Sequence, residues 1–316
     1  MEQGVPTIDI AELDSPATRA AIDRACRDWG FFQVVNHGID AGVTGDLQAA
    51  MRAFFQRPAV DKQRIARTAD NHWGFYDREL TKNTRDWKEI FDVGPEADGH
   101  RPQWPALPDF RQAVEAYYRA SEALSFRLLS VMSANLGMPA EHLDDAFRPE
   151  HSGFLRLNYY PLCPVPESPA ALELPVAGHL GINHHTDAGA LTVLLQDDQP
   201  GLEVYRHGAW HLIETNPDAL VINIGDVVQV WSNDRYRAAL HRVRASDRAE
   251  RYSAPFFFNP RYDYRYAPLP GTVDTAAPAR YRPIGWGEFR ARRADGDYAD
   301  QGAEVQIADY RIDGVA

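Results

Sequence analysis

The triplet His185-Thr186-Asp187 stands just ahead of the apolar run Leu191 to Leu195, which reads as a strand. In an extended backbone residues i and i+2 project to the same side, so an imidazole and a carboxylate are presented together. A third donor of the same kind, His241, follows the strand-like run Leu220 to Trp231. Two histidines and one carboxylate, with no cysteine nearby, form the donor set that holds non-haem Fe(II) and leaves coordination positions open. The triplet alone is weak evidence, and a strand-end histidine beside a turn aspartate is the competing reading. The chain even carries a decoy, His142-Leu143-Asp144, at an expected helix start. There, residues i and i+2 lie about 200° apart around the helix axis and do not converge.

A second constellation follows His241. Arg251 and Ser253 are two residues apart in an expected strand and share a face. A guanidinium beside a hydroxyl receives a carboxylate well, because the planar fork gives two charge-assisted hydrogen bonds and the hydroxyl a third. An arginine by itself is more often a surface or ion-paired residue. Asn158 and Tyr160 share a face of another strand in the same way, and a core aromatic with a bonded hydroxyl is the plain alternative for Tyr160.

The elements that must position these residues divide the chain in two. In the first half, Ser15 and Pro16 read as cap and first residue of a helix over about 16–29, stopped by Gly30. Apolar residues keep a helical period from Phe110 to Leu136, which predicts the longest helix, packed on a sheet. After Gly153 come short β-rich runs: Phe154 to Tyr160, Leu191 to Gln196, Leu202 to Tyr205, Leu220 to Trp231 and Tyr252 to Asn259. Many short strands punctuated by turn residues indicate a sandwich or jelly roll rather than βαβ units. The proline-rich stretch from Leu162 to Pro175 is expected to be an extended loop. The expected class is mainly β with α, organised as one domain over residues 1–316. Residues 1–150 form a mostly helical part, 151–270 a jelly-roll core with the metal site, and 271–316 a C-terminal extension.

Composition limits the function classes. The chain has 316 residues, 44% of them hydrophobic, and a net charge of −12. Nucleic-acid and anionic-membrane binding draw on clustered Lys and Arg, so neither partner is expected. Two cysteines, Cys26 and Cys163, build neither a disulfide framework nor a cysteine zinc site, and suit a reducing cytoplasm. No leader-like N-terminus or membrane-length apolar run is read, and no His-Glu-x-x-His helix of a zinc hydrolase is present.

Taken together the residues resemble the iron(II)- and 2-oxoglutarate-dependent dioxygenases of the isopenicillin N synthase-like superfamily. The resemblance runs through Val5-Pro6-Thr7-Ile8-Asp9, the segment Trp29 to Gly38, Asp86-Trp87-Lys88-Glu89 and Asn158-Tyr159-Tyr160-Pro161. It continues through His184-His185-Thr186-Asp187, Asn223-Ile224-Gly225-Asp226, His241-Arg242-Val243 and Arg251-Tyr252-Ser253. It implies a double-stranded β-helix in which His185, Asp187 and His241 hold Fe(II). It further implies that Arg251 and Ser253 hold the distal carboxylate of 2-oxoglutarate with help from Tyr160, with Asn158 near the metal. Phe257, and less directly Phe75, Tyr76 and Arg85, would line the pocket for a small-molecule substrate. O2 is the co-reactant, and succinate and CO2 are the products from 2-oxoglutarate. Hydroxylation is the default outcome, with desaturation or ring closure open. The alternatives are a 2-oxoglutarate-independent iron oxidase of the same superfamily and a non-catalytic jelly-roll binding protein. Neither the prime substrate nor the oligomeric state is encoded in these motifs. His37 is read as structural and His184 as lying off the metal face. Asn233-Asp234-Arg235-Tyr236-Arg237-Ala238 departs from the family's Asn-Gly-x-Tyr-Lys-Ser and puts the turn before His241 in doubt.

Overall fold

A computed structural model of the protein describes residues 4–97, 99–167, 178–297 and 305–313. In chain order the first part contributes β1 (Thr7–Asp9), α1 (Pro16–Asp28), β2 (Phe31–Val35), α2 (Ala41–Phe55), α3 (Ala59–Gln63) and β3 (Gly74–Tyr76). It continues with β4 (Leu80–Thr81), β5 (Thr84–Arg85), β6 (Glu89–Val93) and the long α4 (Phe110–Asn135). The core strands follow: β7 (Phe154–Tyr160), β8 (Leu180–His185), β9 (Leu191–Gln196), β10 (Leu202–Arg206), β11 (Ala209–Leu212) and β12 (Leu220–Ile224). After α5 (Asp226–Trp231) come β13 (His241–Arg244), β14 (Arg251–Phe258), β15 (Arg265–Tyr266), β16 (Ile284–Gly285) and α6 (Trp286–Asp297).

The strands form a jelly roll. An eight-stranded sheet runs β1-β2-β12-β9-β14-β7-β6-β3, and a four-stranded sheet runs β11-β10-β13-β8. The expected run Leu220 to Trp231 is therefore not one strand. It ends at Ile224, and Gly225 turns the chain into α5. A Cβ at Gly225 would lie 2.3 Å from the Gly189 carbonyl oxygen, so this crossing tolerates no side chain. Of the stretch expected to be an extended proline-rich loop, Leu162 to Pro175, positions 168–175 lie outside the described residues.

The two faces of the large sheet are separated by strand alternation. Along β14, Tyr252, Ala254, Phe256 and Phe258 join the main core with α2 and α4, whereas Arg251, Ser253 and Phe257 face the small sheet. The helical layer covers the first face as expected, α1 being capped by the Ser15 side chain, which accepts from Thr18 N–H at 3.2 Å. A smaller apolar cluster of Phe31, Tyr160, Leu194, Val204, Val221 and Val243 fills the space between the sheets. It leaves the polar residues grouped at defined positions along the barrel. Among the described residues no helix is long and apolar enough to cross a membrane.

Candidate metal and cosubstrate site

Strand pairing brings the distant histidines together. His241 at the start of β13 is the register partner of His185 at the end of β8, and their rings lie 4.2 Å apart between centroids. Asp187 follows in the turn toward β9, and its Oδ1 is 3.6 Å from Nε2 of each histidine. One donor atom from each of the three lies within 4.8 Å of the others. Among the described residues His142-Leu143-Asp144 gathers no such group, and His142 is exposed. Alternation on β8 sets His184 on the face opposite His185, and His37 sits beyond β2, where its Nδ1 accepts from Ile39 N–H at 3.1 Å.

Each donor is oriented by a further bond. His185 Nδ1 donates to the Asn183 carbonyl at 2.8 Å and His241 Nδ1 to the Ala239 carbonyl at 3.0 Å, which leaves both Nε2 atoms as inward lone pairs. Burial drives the pKa of His185 down to about 3, so the imidazole is neutral at physiological pH. Burial opposes ionisation of Asp187, but the flanking histidines and hydrogen bonds from Thr192 and Asn223 outweigh it and hold the carboxyl below its usual range. Phe31 stands edge-on to His241 at 5.1 Å. Phe31, Asn223, Thr192, Phe257 and Phe154 are successive register partners across five strands, forming one row beneath the donor group.

Further along the same face, Arg251 and Ser253 pair with Tyr160 and Asn158 across β14 and β7. Ser253 Oγ lies 3.3 Å from Asn158 Nδ2 and 3.4 Å from the Tyr160 hydroxyl. Arg251, 3% exposed, donates from Nε to the Gln199 carbonyl at 3.2 Å and from Nη2 to Gln196 Oε1 at 3.1 Å. Its Nη1 is buried with no partner, and no carboxylate among the described residues forms an ion pair with it. A buried cation with an uncommitted nitrogen is strongly unfavourable unless an anion completes it, so this cradle fits a ligand carboxylate. The donor set and this cradle thus fit a keto-acid chelate on iron.

The suggested pocket residues separate by strand parity. Phe257 stacks on Phe154 at 4.8 Å in the row beneath the donor group. Tyr76 pairs with Ile90 on the inner face, with the Arg67 guanidinium 3.6 Å from its ring centroid. Phe75 pairs with Phe91 and packs against Phe54 in the main core, so it faces away from the site. Arg85 is exposed and donates to the Asp77 carbonyl at 3.2 Å.

Several residues escaped the sequence reading. Thr192 and Gln196, polar residues on one face of the otherwise apolar β9, were the available signal for supports of Asp187 and Arg251. Asp86 is buried, accepts from Asn183 N–H at 3.1 Å and pairs with Lys88, itself paired with Glu79. The departing turn is also explained. Asn233 and Asp234 take the left-handed conformation, with φ of 53° and 67°. The Asp234 carboxylate receives Arg311 at 2.6 Å, Arg280 at 3.3 Å, Gln229 at 3.1 Å and the Tyr281 hydroxyl.

A jelly roll presenting two histidines and one carboxylate beside a buried, anion-seeking arginine defines the class of iron- and keto-acid-dependent oxygenases, and the chain belongs to the 2OG-Fe(II) oxygenase superfamily, whose family model matches residues 151–260. Residues 5–115 match the N-terminal region of the non-haem dioxygenases described from morphine synthesis. Jasmonate-induced oxygenase 2 of Arabidopsis thaliana is 34% identical over 299 residues, covering 90% of this chain and 78% of that protein. Flavanone 3-dioxygenase 2 of Oryza sativa subsp. japonica is 34% identical over 293 residues, covering 90% and 82%. The crystal structure of JOX2 in complex with 2OG, Fe and JA superposes with a TM-score of 0.85 at 31% identity, covering 98% of this chain and 89% of that one. The protein is thus a 2-oxoglutarate-dependent dioxygenase that uses Fe(II), 2-oxoglutarate and O2.

Proposed function

We propose that His185, Asp187 and His241 hold the iron and that Arg251, Ser253, Tyr160 and Asn158 seat 2-oxoglutarate, for oxidation, by default hydroxylation, of a small organic molecule. The observation that carries this reading is the buried Arg251 Nη1, uncommitted on the same sheet face as Thr192, which orients Asp187. When bound, iron and 2-oxoglutarate supply the oxidative chemistry, in which the keto acid and O2 become succinate and CO2 while a substrate C–H becomes C–OH.

The chain's own residues supply geometry and dryness. The two imidazoles and the Asp187 carboxylate are held by neighbours that leave them little rotational freedom. Phe31, Leu194, Val221 and Val243 exclude water from the space between the sheets. Phe154 and Phe257 offer an aromatic wall beside the donor group, suited to an apolar or flat substrate body. Arg290 reaches to 5.4 Å from the Phe154 ring centroid and has no acidic partner among the described residues, which suits a substrate bearing an anionic group. The chain is read as one working unit, since β1, β2, β3 and β6 of the N-terminal part extend the sheet that carries the site. Cys26 and Cys163 are both free and buried, which supports a reducing cytoplasm.

Oxygen uptake and succinate formation by the Fe(II)-loaded protein, with and without 2-oxoglutarate, test the reading. Uptake that requires 2-oxoglutarate and yields succinate is expected. Substrate-dependent uptake without 2-oxoglutarate would replace it with the oxidase alternative.

A further inference from the structure

The outer side of the His185-Thr186-Asp187 turn is held by residues far away in sequence. Arg293 on α6 is 2% exposed, and its Nη2 donates to the Thr186 carbonyl at 3.4 Å and to the Thr186 hydroxyl at 3.3 Å. Its Nη1 lies 3.7 Å from Asp226 Oδ2 and donates to Gln306 Oε1 at 2.9 Å and to the Val305 carbonyl at 3.1 Å. Asp226, 1% exposed, closes the circuit, because its backbone N–H donates to the Asp187 carbonyl at 2.8 Å and its carboxylate lies 3.5 Å from the Thr186 hydroxyl. The residue between the two donors is therefore clamped by an ion pair assembled from α5 and the C-terminal helix.

We infer that Arg293 and Asp226 are positioning residues of the metal centre, so that the C-terminal segment, remote from the donors in sequence, is part of the metal site. Three physical points carry this. A turn residue is the most mobile link in a His-x-Asp arrangement, and rotation about Thr186 would swing Asp187 away from the two histidines. A buried ion pair is a poor source of stability in itself but a strong source of unique geometry, because its desolvated charges tolerate few alternative arrangements. The bonds are made to the backbone of the turn as well as to its side chain, so they fix the chain path and not merely a rotamer. Groups that orient metal ligands from outside typically change metal affinity by about ten- to a hundredfold when removed.

The inference rests on the triad reading, and the experiment separates the two. The full-length protein is titrated anaerobically with Co(II) alone, following the visible ligand-field absorption, and the metal-free protein is melted in parallel. Wild-type protein that shows no saturable Co(II) band, or whose band survives His241→Ala, defeats the triad reading itself. Given a wild-type band, Arg293→Met is expected to weaken Co(II) binding at least tenfold and to broaden or shift the band, with Arg293→Lys restoring part of both. Asp226→Asn should weaken binding, and adding it to Arg293→Met should weaken it little further, since the two act as one clamp. Should Arg293→Met fail to fold, Thr186→Val and Arg293→Lys provide the decision, each expected to move the band and the affinity in the same direction. A lowered melting temperature with Co(II) affinity and band unchanged in these variants would make the pair merely structural and overturn the inference.

Discussion

Replacing Arg251 by leucine removes the charge that faces the proposed carboxylate while keeping much of the apolar volume. Two of the three guanidinium nitrogens are already committed, Nε to Gln199 and Nη2 to Gln196, so the ligand stands to lose chiefly what Nη1 supplies. One hydrogen bond to a charged group contributes about 1.5–3 kcal/mol, which corresponds to a rise of roughly ten- to a hundredfold in the dissociation constant of 2-oxoglutarate. Calorimetric titration of the Mn(II)-loaded protein under nitrogen measures this directly, and melting provides a second reading. At a 2-oxoglutarate concentration a hundred times the wild-type constant, the ligand stabilises wild type by about 2.7 kcal/mol. A variant weakened a hundredfold gains only about 0.4 kcal/mol at that concentration. Arg251→Lys should recover part of the affinity, because it keeps the charge and loses the fork. Ser253→Ala should cost about 1 kcal/mol. Unchanged 2-oxoglutarate affinity in Arg251→Leu would refute the assignment of this cradle and place the carboxylate receptor elsewhere.

His241→Ala should abolish iron binding, read by metal analysis after anaerobic loading, whereas His142→Ala should bind iron as wild type does. Asn223→Ala removes a 2.7 Å hydrogen bond to Asp187 and should weaken Fe(II) about tenfold with little change in 2-oxoglutarate affinity, measured by competition with Mn(II). The pKa of Glu79 is lowered to about 2; burial opposes this, but Arg156 and Lys88 prevail. Because the unfolded chain binds the proton more readily, the stability this network confers is present above about pH 4.5 and is lost as pH falls toward about 2. Denaturant titrations across that window should show a flatter pH dependence for Glu79→Gln. Phe257→Ala should raise the KM for an identified substrate without altering 2-oxoglutarate affinity, measured by steady-state oxygen uptake.

Much of this was readable from residue types because the site is built on strands. The two-residue period carried Arg251 with Ser253 and Asn158 with Tyr160, each pair on one strand face, whereas His185 and Asp187 converge although Asp187 lies in the turn just past β8. Long-range pairing was less accessible: residue type offered His241 as a third donor, but nothing local shows that it registers against His185. The misplacement of Phe75 has the same origin, for a one-residue difference in strand parity moves a side chain from the site to the opposite face, and neighbouring Tyr76 lies on the inner one. The strand drawn through Leu220 to Trp231 failed because both β12 and α5 are rich in β-branched residues and buried almost throughout, which blurs the difference in period. The clamp by Arg293 left no trace in sequence, since arginines abound in α6 and only packing distinguishes the buried one.

The aspartate at 234 changes how relatives of this chain should be read. A left-handed backbone there is easy for glycine and unfavourable for aspartate, yet the side chain gathers Arg280, Tyr281 and Arg311 from the C-terminal region, and these contacts offset the strain. Glycine at this position offers no carboxylate, so the tail arginines would then have nothing to grip. Asp234, Arg280 and Arg311 are therefore expected to vary together. In a lineage that carries glycine at the turn, the tail should be free to shorten, change sequence or dock differently, whereas lineages with the aspartate should retain both arginines. An alignment rich enough to count these combinations would show the turn and the tail changing together although some 77 residues of chain separate Asp234 from Arg311.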